Sequence, residues 1–221
     1  MAKRPFFMCD IESFYTEKQC EFEFYTGFSI SQKRKSIESM HRNIQSIYPN
    51  AKILEVSTKS LNPIGYRLSA FNLNFTLSNG TSYPLENVFQ SSKVFEGNKR
   101  YKDLLYCTPK EAKTDERIRN SGRLIAFNLD GVSWDLEPKT AFYDFIYITA
   151  LMQDKQLCKD LADYEIFTDI EFNPKRSFNC QARSVAIFVS LKRQGKLTEF
   201  TKNKESFLRL YQSTTEQTKL F

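Results

Sequence analysis

The chain has 221 residues, 41% hydrophobic and 26% charged, which is the length of one globular domain with enough apolar content for a core. No apolar run approaches membrane-spanning length, and the opening MAKRPFFMCDIE lacks a signal-peptide core, so a cytoplasmic protein is expected with no membrane role. The 32 Lys/Arg against 26 Asp/Glu give a net charge of +6, which favours an anionic partner without naming one.

Five cysteines (Cys9, Cys20, Cys107, Cys158, Cys180) are scattered without CxxC spacing, which argues for a reducing compartment and against a zinc site or disulfide frame. His41 is the single histidine, so a His-based metal cluster is excluded and a Ser-His triad has little to stand on.

Residues 5–28 read as strand, with Phe22-Glu23-Phe24 alternating. Ser29 or Ser31 caps a helix in which Ile37, Met40, Ile44 and Ile47 form the apolar face, ended by Pro49-Asn50. Lys33-Arg34-Lys35 reads as a solvated helix face. ILEVS at 53–57 is a short apolar strand, predicted to pair with a second strand over 67–77 in one sheet.

The stretch from Tyr66 to Phe95 organises the chain. Phe71, Leu73, Phe75 and Leu77 alternate as in a strand, and Ser78-Asn79-Gly80 is a turn. Pro84 suits the first turn of a helix whose apolar face is Leu85, Val88, Phe89, Ser92 and Phe95. Glu86, Gln90 and Lys93, at i, i+4 and i+7, line one edge of that predicted helix, with amine and carboxylate about 10 Å apart along the axis. Such a stripe is either a ligand grip or a solvated edge with Glu86 favouring the positive helix end.

From Lys99 to Arg123 eight Lys/Arg face four Asp/Glu, with weak apolar periodicity. This predicts a long surface loop with a short helical piece. It is either a soluble insertion or a cationic surface tracking nucleic-acid phosphates through Lys110, Lys113, Arg117 and Arg119, with Tyr101 and Tyr106 available for stacking. Leu124–Phe127 is a strand, Trp134-Asp135 follows Asp130-Gly131, and Pro138 starts a helix using Phe142, Phe145, Ile146, Thr149 and Met152. Asp154 caps the next helix. Asp169 and Glu171 flank Ile170 on one strand-like side, and a last strong helix spans about 180–193 and ends at Gly195. SFLRLYQ at 206–212 reads as a further helix.

The run LSAFNLNFTLSNGTSYPLENVFQSSKVF resembles the signature of the NADAR (YbiA-like) family, in which a Trp/Tyr-Pro-x-x-Glu-x-x-x-Gln-x-x-Lys helix follows a Gly turn. Here Tyr83, Pro84, Glu86, Gln90 and Lys93 carry that pattern. GFSISQKRKSIESMH, ILEVSTKS and LSAFNL look most similar to the branch encoded beside DarT-type toxins, which ADP-ribosylate guanine in DNA. The resemblance covers most of residues 20–195. It implies an α+β domain, mainly helical around a small sheet, with an extension at 1–50, a catalytic domain at 51–196 and a polar tail or helix at 197–221.

The resemblance also implies a cofactor-free and metal-free N-glycosidase that strips ADP-ribose from guanine in DNA and acts as an antitoxin, with the cognate toxin as a candidate protein partner. Glu86 would be the acid/base or ribose-positioning carboxylate, Lys93 the nucleophile or electrostatic catalyst, and Asp169 or Glu171 the second carboxylate. Gln90, Asn179 and Trp134 would bind substrate, although Trp134 reads equally as a core anchor. Ala70 stands where many members carry Asn, which leaves Ser69 and Asn72 as candidates beside it, and the Trp-Gly that many members carry before the last helix does not occur. The other functional classes are a glycosidase on free nucleotide intermediates, such as riboflavin-pathway ribosides, and an antitoxin that neutralises by direct binding.

Overall fold

The structure is a computed structural model that describes the backbone of residues 1–217 and the side chains through Gln212; the last four positions of the predicted tail lie outside the described residues. In chain order it runs β1 (Ala2–Cys9), β2 (Tyr15–Phe22), α1 (Ile30–Ile47), β3 (Ile53–Glu55) and α2 (Pro63–Arg67). Then come β4 (Asn74–Thr76), β5 (Ser82–Pro84), α3 (Leu85–Ser91) and β6 (Lys93–Phe95). Two 3-10 turns, Glu96–Asn98 and Lys102–Tyr106, lead to α4 (Pro109–Thr114), α5 (Glu116–Asn120), β7 (Leu124–Leu129) and β8 (Val132–Trp134). The remainder is α6 (Ala141–Gln153), α7 (Lys155–Asp160), β9 (Ile166–Thr168), α8 (Gln181–Arg193), α9 (Leu197–Phe200) and α10 (Lys204–Gln217). The fold is α+β, helices around small sheets. Among the described residues no helix is long and apolar enough to cross a membrane.

The chain forms two compact units, one from residues 1–69 and 154–197, the other from 70–153 and from Thr198 onward. The first unit holds a four-stranded sheet in the order β2-β1-β9-β3. β1 and β2 form an antiparallel hairpin, β9 runs antiparallel to β1, and β3 runs parallel to β9. Helix α1 starts as its Ser29 cap requires, with the Ser29 hydroxyl accepting from the Gln32 amide. Its Ile37, Met40 and Ile44 pack with Phe6, Phe22, Ile166 and Ile170 in one buried cluster. Helix α8 also packs on β1, and the neighbours Phe6 and Phe7 are both 1% exposed, so the sheet is covered on its two faces.

The pairing differs from the predicted one. β3 joins β9, far along the chain, while the predicted strand at 67–77 shrinks to three residues paired with β5. The cause is local chemistry upstream. Asn62 caps α2 by accepting from the Ile64 amide, and Pro63 fills the first helical position. The backbone after α2 is then used on α3, where the Ala70 carbonyl accepts from the Glu86 amide at 2.9 Å and the Leu73 carbonyl accepts from Leu85 at 2.8 Å. Carbonyls committed to a helix start are not available for a ladder.

Gly65 in α2 lies directly over β3: a Cβ there would sit 2.0 Å from the Glu55 carbonyl oxygen. Gly65→Ala must therefore push α2 off the sheet edge. The expected loss is roughly 3 kcal/mol of stability, read as a fall in the denaturant midpoint without a change in slope. A midpoint at the wild-type value would show that α2 accommodates the methyl.

In the second unit β6, β7 and β8 form an antiparallel sheet, and β4 pairs with β5. Asp130 (φ 48°) and Gly131 (φ 86°) make the two-residue turn between β7 and β8, which needs positive φ at both positions. The core of this unit is aromatic. Phe127 stacks on Phe142 at 4.5 Å, and Phe89 meets Tyr143 edge-to-face at 5.2 Å. Trp134 lies 4.7 Å from Phe145, and Phe207 of α10 closes on Phe145 at 5.3 Å. Pairs of this kind contribute about 0.5–1.5 kcal/mol each beyond the area they bury.

Candidate active site

Helix α3 is buried along its whole length, Leu85 through Ser91. Glu86 is 6% exposed, and the Gln90 side-chain amide donates to its Oε1 at 2.8 Å. The solvated-edge alternative is thereby removed, because carboxylate and amide sit inside the unit. Gln90 Oε1 is buried with no partner among the described residues. An unpaired buried carbonyl costs about 1–3 kcal/mol, and such a group is a ready acceptor for an incoming donor.

Lys93 is not on the helix. The Ser91 and Ser92 hydroxyls both donate to the Val88 carbonyl, at 3.1 and 2.7 Å, and the helix stops there. The Ser92 carbonyl then accepts from the Asn128 amide at 2.7 Å, and Lys93 opens β6 opposite Phe127. The predicted 10 Å axial spacing is therefore wrong, although the association survives. Lys93 Nζ stands 5.1 Å from the centre of the Phe89 ring. Burial lowers its pKa below the usual lysine value, and the Glu86 charge acts against that shift.

Asn87 holds the neighbouring segment in place, donating to the Leu104 and Cys107 carbonyls at 2.7 Å each. The predicted loop there is largely short helices, the 3-10 turn at Lys102–Tyr106 followed by α4 and α5. Thr108 and Glu111 form a reciprocal capping box and Asp115 caps α5, signals that outweighed the weak apolar periodicity.

A second acidic centre lies in the first unit. Asp169 follows β9 and is 6% exposed. Its Oδ2 accepts from the Gln181 side chain at 3.0 Å, and its Oδ1 accepts from the Glu171 and Phe172 amides at 3.0 and 3.2 Å. Burial pushes Asp169 up to about 7, and the nearby Glu55 charge adds to the rise. Glu55, at the end of β3 and 3% exposed, accepts from the Thr168 hydroxyl at 2.6 Å and from the Ile170 amide at 2.9 Å. Glu171 is different: its side chain is 41% exposed and pairs with Lys33 at 3.3 Å. The two acids flanking Ile170 thus do not share one environment, because the Asp169 turn sends the chain away from the strand.

A family model described as DarT1-associated NADAR antitoxin matches residues 2–220. The chain belongs to that family. No curated protein matches it.

Within this NADAR chain the remaining predicted residues fall as follows. In the second unit Trp134 is 2% exposed among Phe142, Phe145 and Phe207, and Asn72 is half-buried. In the first unit Ser69 is 2% exposed and Asn179 is half-buried, one residue before the Cys180 cap of α8. Lys110, Lys113, Arg117 and Arg119 are all exposed, but they are not equivalent. Arg117 pairs with Asp103 at 2.6 Å and Asp115 at 2.8 Å and lies over the Tyr101 ring. Lys113 Nζ stands 5.3 Å from the Phe71 ring centre. Tyr106 is 77% exposed and meets Tyr83 edge-to-face, while the Tyr101 hydroxyl is bonded to Ser121. Among the described residues no group of three His, Cys, Asp or Glu is placed to hold a metal ion.

Sequence reasoning passed over Glu55. The signal was present: a lone carboxylate in the apolar run ILEV, where a strand covered on both faces otherwise excludes charge.

Proposed function

We propose that this NADAR antitoxin is a hydrolase that removes ADP-ribose from ADP-ribosylated guanine in DNA by cleaving the N-glycosidic bond. The observation that carries the reading is the Lys93 amine, its pKa lowered by burial, held against the Phe89 ring and within Coulombic reach of the buried Glu86 carboxylate. A desolvated amine beside a carboxylate is suited to a carbonyl or imine carbon.

In the proposed reaction the ribose ring opens at C1′, leaving an imine to the guanine nitrogen. The neutral Lys93 amine adds to C1′, the guanine amine leaves with a proton, and a Lys93 imine remains. Water then adds, the C1′–Nζ bond breaks, and ADP-ribose and free lysine are returned. Glu86 moves the protons of these steps. Asp169 and Glu171, the candidates for a second carboxylate, both lie in the first unit: Asp169 is buried, and Glu171 is exposed and ion-paired with Lys33. Gln90 offers its unpaired carbonyl to a substrate donor.

The exposed cations supply the nucleic-acid contact. Lys110, Lys113 and Arg119 track phosphates, whereas Arg117 is already neutralised by Asp103 and Asp115. Replacing the first three with Gln is expected to flatten the salt dependence of DNA binding by roughly 0.7 slope units per lost single-strand contact. Cleavage of a small ADP-ribosyl-guanosine is expected to stay at the wild-type rate. Equal losses on both substrates would remove this surface from DNA recognition.

The deciding experiment is incubation with DNA carrying ADP-ribosylated guanine at one protein per hundred lesions. Release of free ADP-ribose with restoration of guanine is expected. Protection of DNA only at one protein per toxin, with no ADP-ribose released, would overturn the hydrolase in favour of an antitoxin that binds its toxin.

A further inference from the structure

Two tyrosines of the basic segment carry rings that a nucleobase could use, and the structure separates them. Tyr101 is engaged internally: its hydroxyl is bonded to Ser121, the Arg117 guanidinium lies 4.7 Å from its ring centre, and Phe95 packs against it at 6.2 Å. Tyr106 is 77% exposed. Its ring stands edge-to-face with the half-buried Tyr83 at 5.7 Å. Cations follow it along the chain. Lys110 is exposed in the first turn of α4, and Lys113 is exposed one turn on, its Nζ 5.3 Å from the ring centre of the half-buried Phe71. Aromatic rings interleaved with exposed ammonium groups suit a single strand, whose bases offer their faces while its phosphates carry the charge. Tyr106 is also held firmly. Leu104 before it is 2% exposed, and the Asn87 side chain donates to the Leu104 and Cys107 carbonyls that bracket it, at 2.7 Å each. Thr108 then closes the capping box of α4. Asn87 is next to Glu86 on α3, and Tyr83 precedes Glu86 by three residues, which limits their Cα separation to about 11 Å. The exposed ring is therefore fixed to the buried helix that carries the Glu86 carboxylate.

We propose that Tyr106, backed by Tyr83, is a stacking platform for one unpaired nucleobase of a single DNA strand, the base next to the modified guanine. This rests on the proposed DNA substrate and adds to it the strand state and a contact that carries no charge. A ring already immobilised by its neighbours loses little freedom when a base settles on it, so the contact is realised in affinity. Lys110, Lys113 and Arg119 give binding its salt dependence, and the ring gives it the need for an unpaired base. In a duplex the bases are stacked on one another and leave the platform unused.

The test reads binding rather than turnover. The probe is a labelled single-stranded oligonucleotide carrying one ADP-ribosylated guanine, followed by fluorescence anisotropy in the Glu86→Gln background so that the strand stays intact. Tyr106→Ala is expected to weaken binding about tenfold, in the lower part of the range for a lost base stack, with the salt slope unchanged. Tyr106→Phe keeps the ring and is expected to stay within about twofold of the parent. Repeating the measurement with an abasic site on the 5′ or the 3′ side of the lesion locates the base. On one of these two strands Tyr106→Ala is expected to cost nothing further, because the partner it would lose is already gone. On the duplex form of the probe the substitution is expected to be silent. No strand binding by the parent, an affinity that Tyr106→Ala leaves unchanged, or a tenfold loss that persists on both abasic strands would overturn the platform. Absence of ADP-ribose release by the wild type would overturn the hydrolase instead and leave the binding result standing.

Discussion

Glu86→Gln is expected to lower the rate of ADP-ribose release by about 10²–10⁴-fold, the range for removing a general acid–base group. The geometry should survive, because the Gln90 amide donates to Glu86 Oε1 and a glutamine oxygen accepts equally well. The sign of the side effect makes the test sharper. The Glu86 charge raises the pKa of Lys93, so its removal leaves more neutral amine at pH 7, not less. A scheme that needed only a neutral lysine would thus predict an equal or faster variant. A rate within threefold of wild type, with the variant folded, would remove Glu86 from the chemistry.

Lys93→Arg separates two mechanisms. Arginine keeps the charge and can still lie over the Phe89 ring, but it is never neutral and forms no imine. If Lys93 forms the covalent imine, the variant is expected to lose at least about 10³-fold in turnover, since a nucleophile is absent rather than weakened. Borohydride added to a working wild-type reaction should then fix ADP-ribose on the peptide containing Lys93 as a mass increase. If the ammonium acts by charge alone, the arginine variant keeps appreciable activity and nothing is trapped. That pair of results would dismiss the imine while leaving the hydrolase standing.

Local signals in the sequence were reliable where the side chains that make them act within a few residues. Ser29, one of the two candidate caps of α1, Asp154 capping α7 and the apolar run of α8 all form as read. Lys93 shows the limit of periodicity. Ser92 fits an apolar helical face only if its hydroxyl is ignored, and that hydroxyl, turned to Val88, helps to end the helix. The alternation from Phe71 to Leu77 failed because the demand for carbonyls at the start of α3 is set by residues further along. Glu55 and Thr168 were illegible as partners for a different reason. They stand 113 residues apart, and nothing in either local pattern points to the other. The placing of Glu86 and Gln90 on one helix edge, by contrast, spans a single turn and was readable from spacing alone, and there the two side chains meet.

The parallel joining of β3 to β9 also sets an order of events during synthesis. The second unit draws its residues 70–153 as one run, inserted between the two stretches that build the first. β3 leaves the ribosome early but has no strand to pair with until Ile166–Thr168 has followed. Closing so long a loop is slow compared with forming the β7–β8 hairpin, whose strands are joined by the Asp130-Gly131 turn. Neither unit is complete early: the first waits for β9, and the second takes Phe207 of α10 into its aromatic core. An antitoxin made this way closes both units only after β9 and α10 have followed, so its early segments wait on late ones.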